Sequence, residues 1–148
     1  MGNTLSNSVT LASRFFLSAI FIFSGFWKIA AWSQVAGAMR GAGVPLVSVA
    51  LPLTILIEVA GGLALLAGFR ARPAALLLSA FLVVVTFVFH NFWAASGIAA
   101  QEQFIQFMKN LAILGGLLRI LADGAGPFSF DARNHTALGT SRVPAIAR

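Results

Sequence analysis

The stretch QFMKNLAILGGLLRI, Gln106–Ile120, decides how the chain is read. Leu111–Leu118 is an unbroken run of apolar residues and glycine, closed by Arg119. Extended back to Phe104, the run gives a span over about 104–121, enough for a helix to cross roughly 30 Å of hydrocarbon. Lys109-Asn110 sits inside it, near the start, where an ammonium and a carboxamide are costly unless they meet partners. Those partners must come from the rest of the chain.

The rest of the chain is equally apolar. Its 148 residues are 59% hydrophobic and only 9% charged, with mean hydropathy +0.90, whereas soluble domains carry about 25% charged residues. Such a chain cannot cover a globular surface with polar groups, so it is an all-α membrane protein. Three further spans are predicted, at about 11–32, 45–68 and 73–95, which makes a four-transmembrane-helix bundle. Residues 1–131 form this single domain, and residues 132–148 are expected to be a basic, disordered cytoplasmic tail. Pro52 is expected to kink the second span. Met1–Ser13 lacks Lys and Arg, and Lys28 would interrupt a signal-peptide core, so the first segment is read as a span rather than a cleaved leader.

Charge sets the expected topology. The tight turn FRARP, Phe69–Pro73, carries Arg70 and Arg72 and marks the cytoplasmic side, which places both termini in the cytoplasm. The net charge of +6 comes from residues near segment ends, with no stripe that would bind nucleic acid. Arg14 is read as an anchor at the inner interface, and Trp27, Trp32 and Trp93 as interfacial belts.

Within this topology the polar residues converge. Lys28, His90 and Lys109-Asn110 fall near the outer ends of their spans, and Glu58 lies closer to the midplane. At about 100° per residue, Arg14, Ser18, Phe21, Gly25 and Lys28 share one arc of the first helix. Thr54, Glu58 and Gly61 or Gly62 share a face of the second, Ser79, Thr86 and His90 of the third, and Gln106, Lys109, Ala112, Ile113 and Gly116 of the fourth. Glu58 is too short to snorkel, so it must be paired, hydrogen-bonded or protonated. Its partner is Lys28 or Lys109. These groups either lock the bundle or surround a ligand, with Lys28, Glu58, His90, Lys109 and Asn110 as candidate ligand contacts and Glu58 and His90 as candidate proton relays. Taken alone, His90 reads as a helix-end histidine beside the interface.

Five segments carry a family resemblance: SGFWK (Ser24–Lys28), IEVAGGLALLAGFRAR (Ile57–Arg72), FHNFW (Phe89–Trp93), FMKNLAILGGLL (Phe107–Leu118) and GAGPFSFD (Gly124–Asp131). In this order and spacing they resemble the DoxX family over roughly Arg14–Asp131. The resemblance implies a four-helix protein of a bacterial or archaeal inner membrane, linked by its family name to a terminal quinol oxidase and a thiosulfate–quinone oxidoreductase. It carries over Lys28, Glu58, His90, Trp93, Lys109 and Asn110 as motif positions.

The residues narrow the chemistry. With no cysteine, Cys-ligated clusters and thiol redox chemistry are excluded, and with one histidine inside a span so is a bis-His haem within one protomer. No flavin or nicotinamide fingerprint is present, and no covalent cofactor or metal site is expected. Quinone is the candidate ligand, because its carbonyls accept hydrogen bonds and its flat ring suits Phe and Leu walls. The first hypothesis is therefore a membrane subunit of an oxidoreductase, with a soluble partner supplying electrons to a bound quinone. The second is a non-catalytic scaffold that anchors soluble partners. A small-molecule or ion carrier is third, since no internal repeat is evident. The Gly61-Gly62 and Gly115-Gly116 pairs suit helix packing within or between protomers, which leaves a homo-oligomer open.

Overall fold

The computed structural model describes residues 2–133, so the expected tail at 132–148 lies almost entirely outside the described residues. Five α-helices follow in order: α1 (Gly2–Ala30), α2 (Trp32–Gly41), α3 (Val47–Ala67), α4 (Ala71–Phe89) and α5 (Gly97–Asp123), with a single 3₁₀ turn at Phe92–Ala94. There is no strand among the described residues. α1, α3, α4 and α5 are each long and apolar enough to cross a membrane.

Boundaries moved where breakers are missing. α1 begins at Gly2 rather than near 11, because no Gly or Pro interrupts Asn3–Ser24 and the polar residues Thr4, Ser6 and Asn7 simply carry the helix past the apolar segment. α5 likewise begins at Gly97. Helix α4 ends at Phe89, where His90 and Asn91 leave helical geometry, while the third apolar span continues through the 3₁₀ turn to Ala94. α3 runs through Pro52 as one helix. α2 replaces what reads in sequence as a plain connection. Its Ala36 and Met39 pack on Leu51 at the start of α3, while ten residues carry too short a pattern to announce a helix.

The bundle is built on α3, which packs along α1 on one side and α4 on the other; α4 then packs along α5, and α5 touches α1. The adjacent glycines of α3 serve two neighbours because successive residues point about 100° apart. A Cβ at Gly62 would lie 2.8 Å from Ile22 Cγ1 on α1, and one at Gly61 would lie 3.0 Å from Leu78 Cδ2 on α4. The core is Phe21, Leu65, Leu78, Leu82, Leu117 and Ile120, closed by small alanines on α4. Outside it, Phe16, Phe23, Leu46 and Ile98 are each 70% exposed or more, an apolar surface that water would not tolerate and lipid solvates.

One end of the bundle is tied down by the segment after α5. Arg14, 3% exposed, donates to the carbonyls of Leu66 (3.2 Å), Ala125 and Phe128, joining the end of α3 to the closing loop. Asp131 accepts from the backbone N–H groups of Arg70 and Ala71, both at 2.8 Å, and so caps the start of α4. Arg14 thus departs from the expected anchor: its guanidinium is spent on backbone carbonyls inside the fold, because the fork geometry satisfies several acceptors at once. This arginine end lies opposite the end that carries His90.

Candidate functional site

Toward the His90 end, α1 and α3 approach closely enough for their polar side chains to meet. The approach depends on Gly25, where a Cβ would stand 2.5 Å from Val59 Cγ2 and 3.5 Å from Glu58 Cβ. One turn on, Lys28 Nζ donates to both oxygens of Glu58, at 2.8 and 2.7 Å, and to Ser24 Oγ at 2.6 Å. Ser24 Oγ donates in turn to Glu58 Oε1 at 3.0 Å. All three ammonium protons are therefore used, and Glu58, 4% exposed, has its charge met by a cation and a hydroxyl. The choice of partner left open by sequence falls on Lys28. Ser24 was quoted only as part of a motif; its i, i+4 spacing from Lys28 was the signal for its place in the pair.

The facing side is contributed by α4 and α5. Asn110 Nδ2 donates to Thr86 Oγ1 at 2.9 Å, and Thr86 Oγ1 donates to Leu82 O at 2.6 Å. His90, just past the end of α4, pairs its Nδ1 with Gln103 Oε1 at 2.9 Å. In that pair the amide oxygen accepts and Nδ1 donates. Ser79 is buried with its hydroxyl unpartnered, and nothing in the structure explains it.

Between these two sides lies a cavity of about 200 Å³, lined by Ser24, Lys28, Glu58, His90 and Asn110 together with apolar side chains from α1, α4 and α5. Four of the five candidate contacts are brought together there. Lys109 is not; it is exposed on the outer side of α5. The face expected for α5 is therefore rotated: Gln106, Lys109 and Ala112 are exposed, while Phe107, Asn110 and Ile113 turn inward. Lys109 and Asn110 are about 100° apart, so only one can enter the bundle. A neutral amide with one hydroxyl partner can be buried there, whereas an ammonium without a carboxylate would carry the larger desolvation cost.

Beside His90, five rings close the end of the α4–α5 seam. Phe92 stacks edge-to-face with Trp93 (5.1 Å), Phe104 (5.2 Å) and Phe107 (5.4 Å), and Phe87 meets Phe107 at 5.9 Å. Trp27, Trp32 and Trp93 are all exposed. Among the described residues no group of His, Asp and Glu is spaced to hold a metal ion.

Known proteins share part of this sequence. The chain is similar to the inner membrane protein YqjF of Escherichia coli (strain K12), 38% identical over 82% of this chain and 88% of that protein. It is also similar to the inner membrane protein YphA of the same organism, 29% identical over 83% of this chain and 88% of that protein. A more distant likeness is to the ER-derived vesicles protein ERV29 of Saccharomyces cerevisiae, 27% identical over 53% of this chain and 25% of that protein. No solved structure matches. The DoxX family model matches residues 9–91, a stretch that contains Ser24, Lys28, Glu58 and His90 and stops short of Asn110. With its four apolar helices, the chain is a multi-pass inner-membrane protein and belongs to the DoxX family.

Proposed function

We propose that this protein is the membrane subunit of a quinone-linked oxidoreductase and that the polar cavity receives the quinone head group. The observation that carries the reading is the cavity itself: a space of about 200 Å³ ringed by an ion pair, an amide and an imidazole, yet walled by aromatic and aliphatic side chains. An apolar cavity of about 150 Å³ admits benzene, so this volume suits a single substituted ring and not a nucleotide or a haem. Asn110 has a second amide proton to offer a quinone carbonyl, and His90, which lines the same cavity, exchanges a proton with the opposite oxygen on this reading. Reduction to the quinol takes two electrons and two protons. A partner dehydrogenase supplies the electrons, and Glu58 and His90 are the groups through which protons enter.

The experiment is recovery of quinone from protein purified in mild detergent, comparing wild type with Asn110→Leu. Leucine fills the amide's space and leaves Thr86 still donating to Leu82 O, so the fold is expected to survive. Quinone should be present in wild type and lost in the variant, while Lys109→Ala, outside the cavity, retains it. No quinone in wild type, or equal quinone in both wild type and Asn110→Leu, sinks the reading.

A second reading is favoured by one feature. The Lys28 ammonium is saturated by Ser24 and Glu58 without any ligand. On that reading the pair locks α1 to α3, and the protein acts as a scaffold for soluble partners.

A further inference from the structure

A second space adjoins the polar cavity. It is an apolar crevice of about 400 Å³ between α3 and α4, roofed by the end of α2 around Met39. Leu53 and Ile57 line one wall, and Val84 and Val88 the other. Phe81 and Val85 line both spaces, which places the crevice next to the cavity holding Glu58 and Lys28. The only polar side chain lining the crevice, Thr54, has its hydroxyl proton committed to Ala50 O at 2.7 Å and has no donor left for a polar ligand.

We infer that this crevice seats the hydrocarbon tail of a membrane-borne amphiphile whose ring occupies the polar cavity. The inference rests on the quinone reading above and adds the class of ligand: a long-tailed quinone that enters sideways from the bilayer between α3 and α4. A polar cavity with an apolar crevice at its side matches one molecule with both characters, and Phe81 and Val85 stand where head and tail would join. The other exit, between α4 and α5, is smaller, at about 110 Å³, and Phe87 stacked on Phe107 narrows it. Lipid is already apolar, so the crevice adds little hydrophobic drive. It selects by shape, orienting the ring so that its oxygens face Asn110 and His90. Met39 in the roof suits that task, since its flexible thioether adapts to an irregular chain.

The test compares two probes, a benzoquinone with a long alkyl tail and its counterpart bearing only a methyl group. Binding to wild type, Val84→Trp, Leu53→Trp and Leu118→Trp is read by native mass spectrometry from detergent. Val84 and Leu53 are exposed and line the crevice without touching the polar cavity, so either indole blocks the tail without altering the head site. Leu118 is exposed on α5 and serves as the control. Each blocking variant should lower long-tailed occupancy roughly tenfold, the loss expected from overfilling a formed site. Head-only occupancy should change by less than about twofold. Should one variant fail to fold, the other stands on the opposite wall. Unchanged long-tailed binding, or equal loss of both probes, overturns the tail site while leaving the head site intact. If neither probe binds wild type, the quinone reading falls and this inference with it. A photoreactive group near the head end of the tail should label Leu53, Val84 or Val88; labelling confined to Val83 or Leu111 places the tail in the other seam and also overturns it.

Discussion

Replacing Lys28 with methionine keeps the stem and removes the ammonium. Glu58, 4% exposed, is left with Ser24 Oγ as its one hydrogen-bonding side chain. Removing one partner of a buried ion pair costs about 3–5 kcal/mol. A carboxylic acid can escape by taking up a proton, which at neutral pH costs about 3–4 kcal/mol and so sets a similar ceiling. The Lys28 side chain is 20% exposed, so some of the pair's attraction is already screened, and a loss of about 2–4 kcal/mol is expected. The double variant Lys28→Met, Glu58→Leu removes both charges and should return to within about 1 kcal/mol of wild type, because a packed apolar pair often matches a buried ionic one. Glu58→Leu alone leaves Lys28 beside Ser24 and should fall between. Reversible unfolding in mixed micelles, with the fraction of denaturing detergent as the variable, completes the cycle. The reasoning requires a coupling of at least about 2 kcal/mol. Additive single losses, or a Lys28→Met protein as stable as wild type, would falsify the claim that this pair holds α1 to α3.

Three further outcomes are expected. Gly25→Ala drives a methyl group to 2.5 Å from Val59 Cγ2, which is stiff at χ1, and should cost about 1–3 kcal/mol in the same unfolding assay; adding Val59→Ala should recover most of it. Arg14→Met strips the carbonyls of Leu66, Ala125 and Phe128 of their charged donor and should cost about 3–5 kcal/mol. Arg14→Lys keeps the charge but not the fork and should recover less than half of that, as seen in thermal stability; full recovery would refute the role given to the guanidinium. The chain has no cysteine, so Ser96→Cys and Arg133→Cys report sidedness cleanly. A membrane-impermeant thiol reagent on whole cells should label Ser96→Cys and spare Arg133→Cys, and the reverse pattern would invert the topology drawn from Arg70 and Arg72.

Much of the fold was legible because its signals are local sums. Four apolar runs of bilayer length are visible in composition alone, and the tight FRARP turn fixes two of them as antiparallel neighbours. The interior arc of α1 was legible too: Arg14, Ser18, Phe21 and Gly25 are buried where 3.6-residue periodicity puts them. The fourth helix misled the same method. On α5, Ile113 and Gly116 pack as the expected face had them, but Lys109 and Asn110 are equally polar in a periodicity count, yet Asn110 packs while Lys109 faces outward. That choice depends on what stands opposite, Thr86 for the amide, and no spacing within α5 encodes it.

Burial energies that depend on one residue's own chemistry were set by the sequence: Glu58, too short to reach water from mid-span, had to find a cation or a donor. Which cation it found was a matter of distance between helices. Gly25 lets α1 close on α3 until Lys28 reaches both carboxylate oxygens, while Lys109 is turned to the far side of α5. The same packing leaves a cavity where five polar side chains converge, from α1, α3, α5 and the residue after α4, and opens the apolar crevice beside it. A sequence states what each side chain costs to bury; only the packed backbone decides which side chains share the space in which that cost is met.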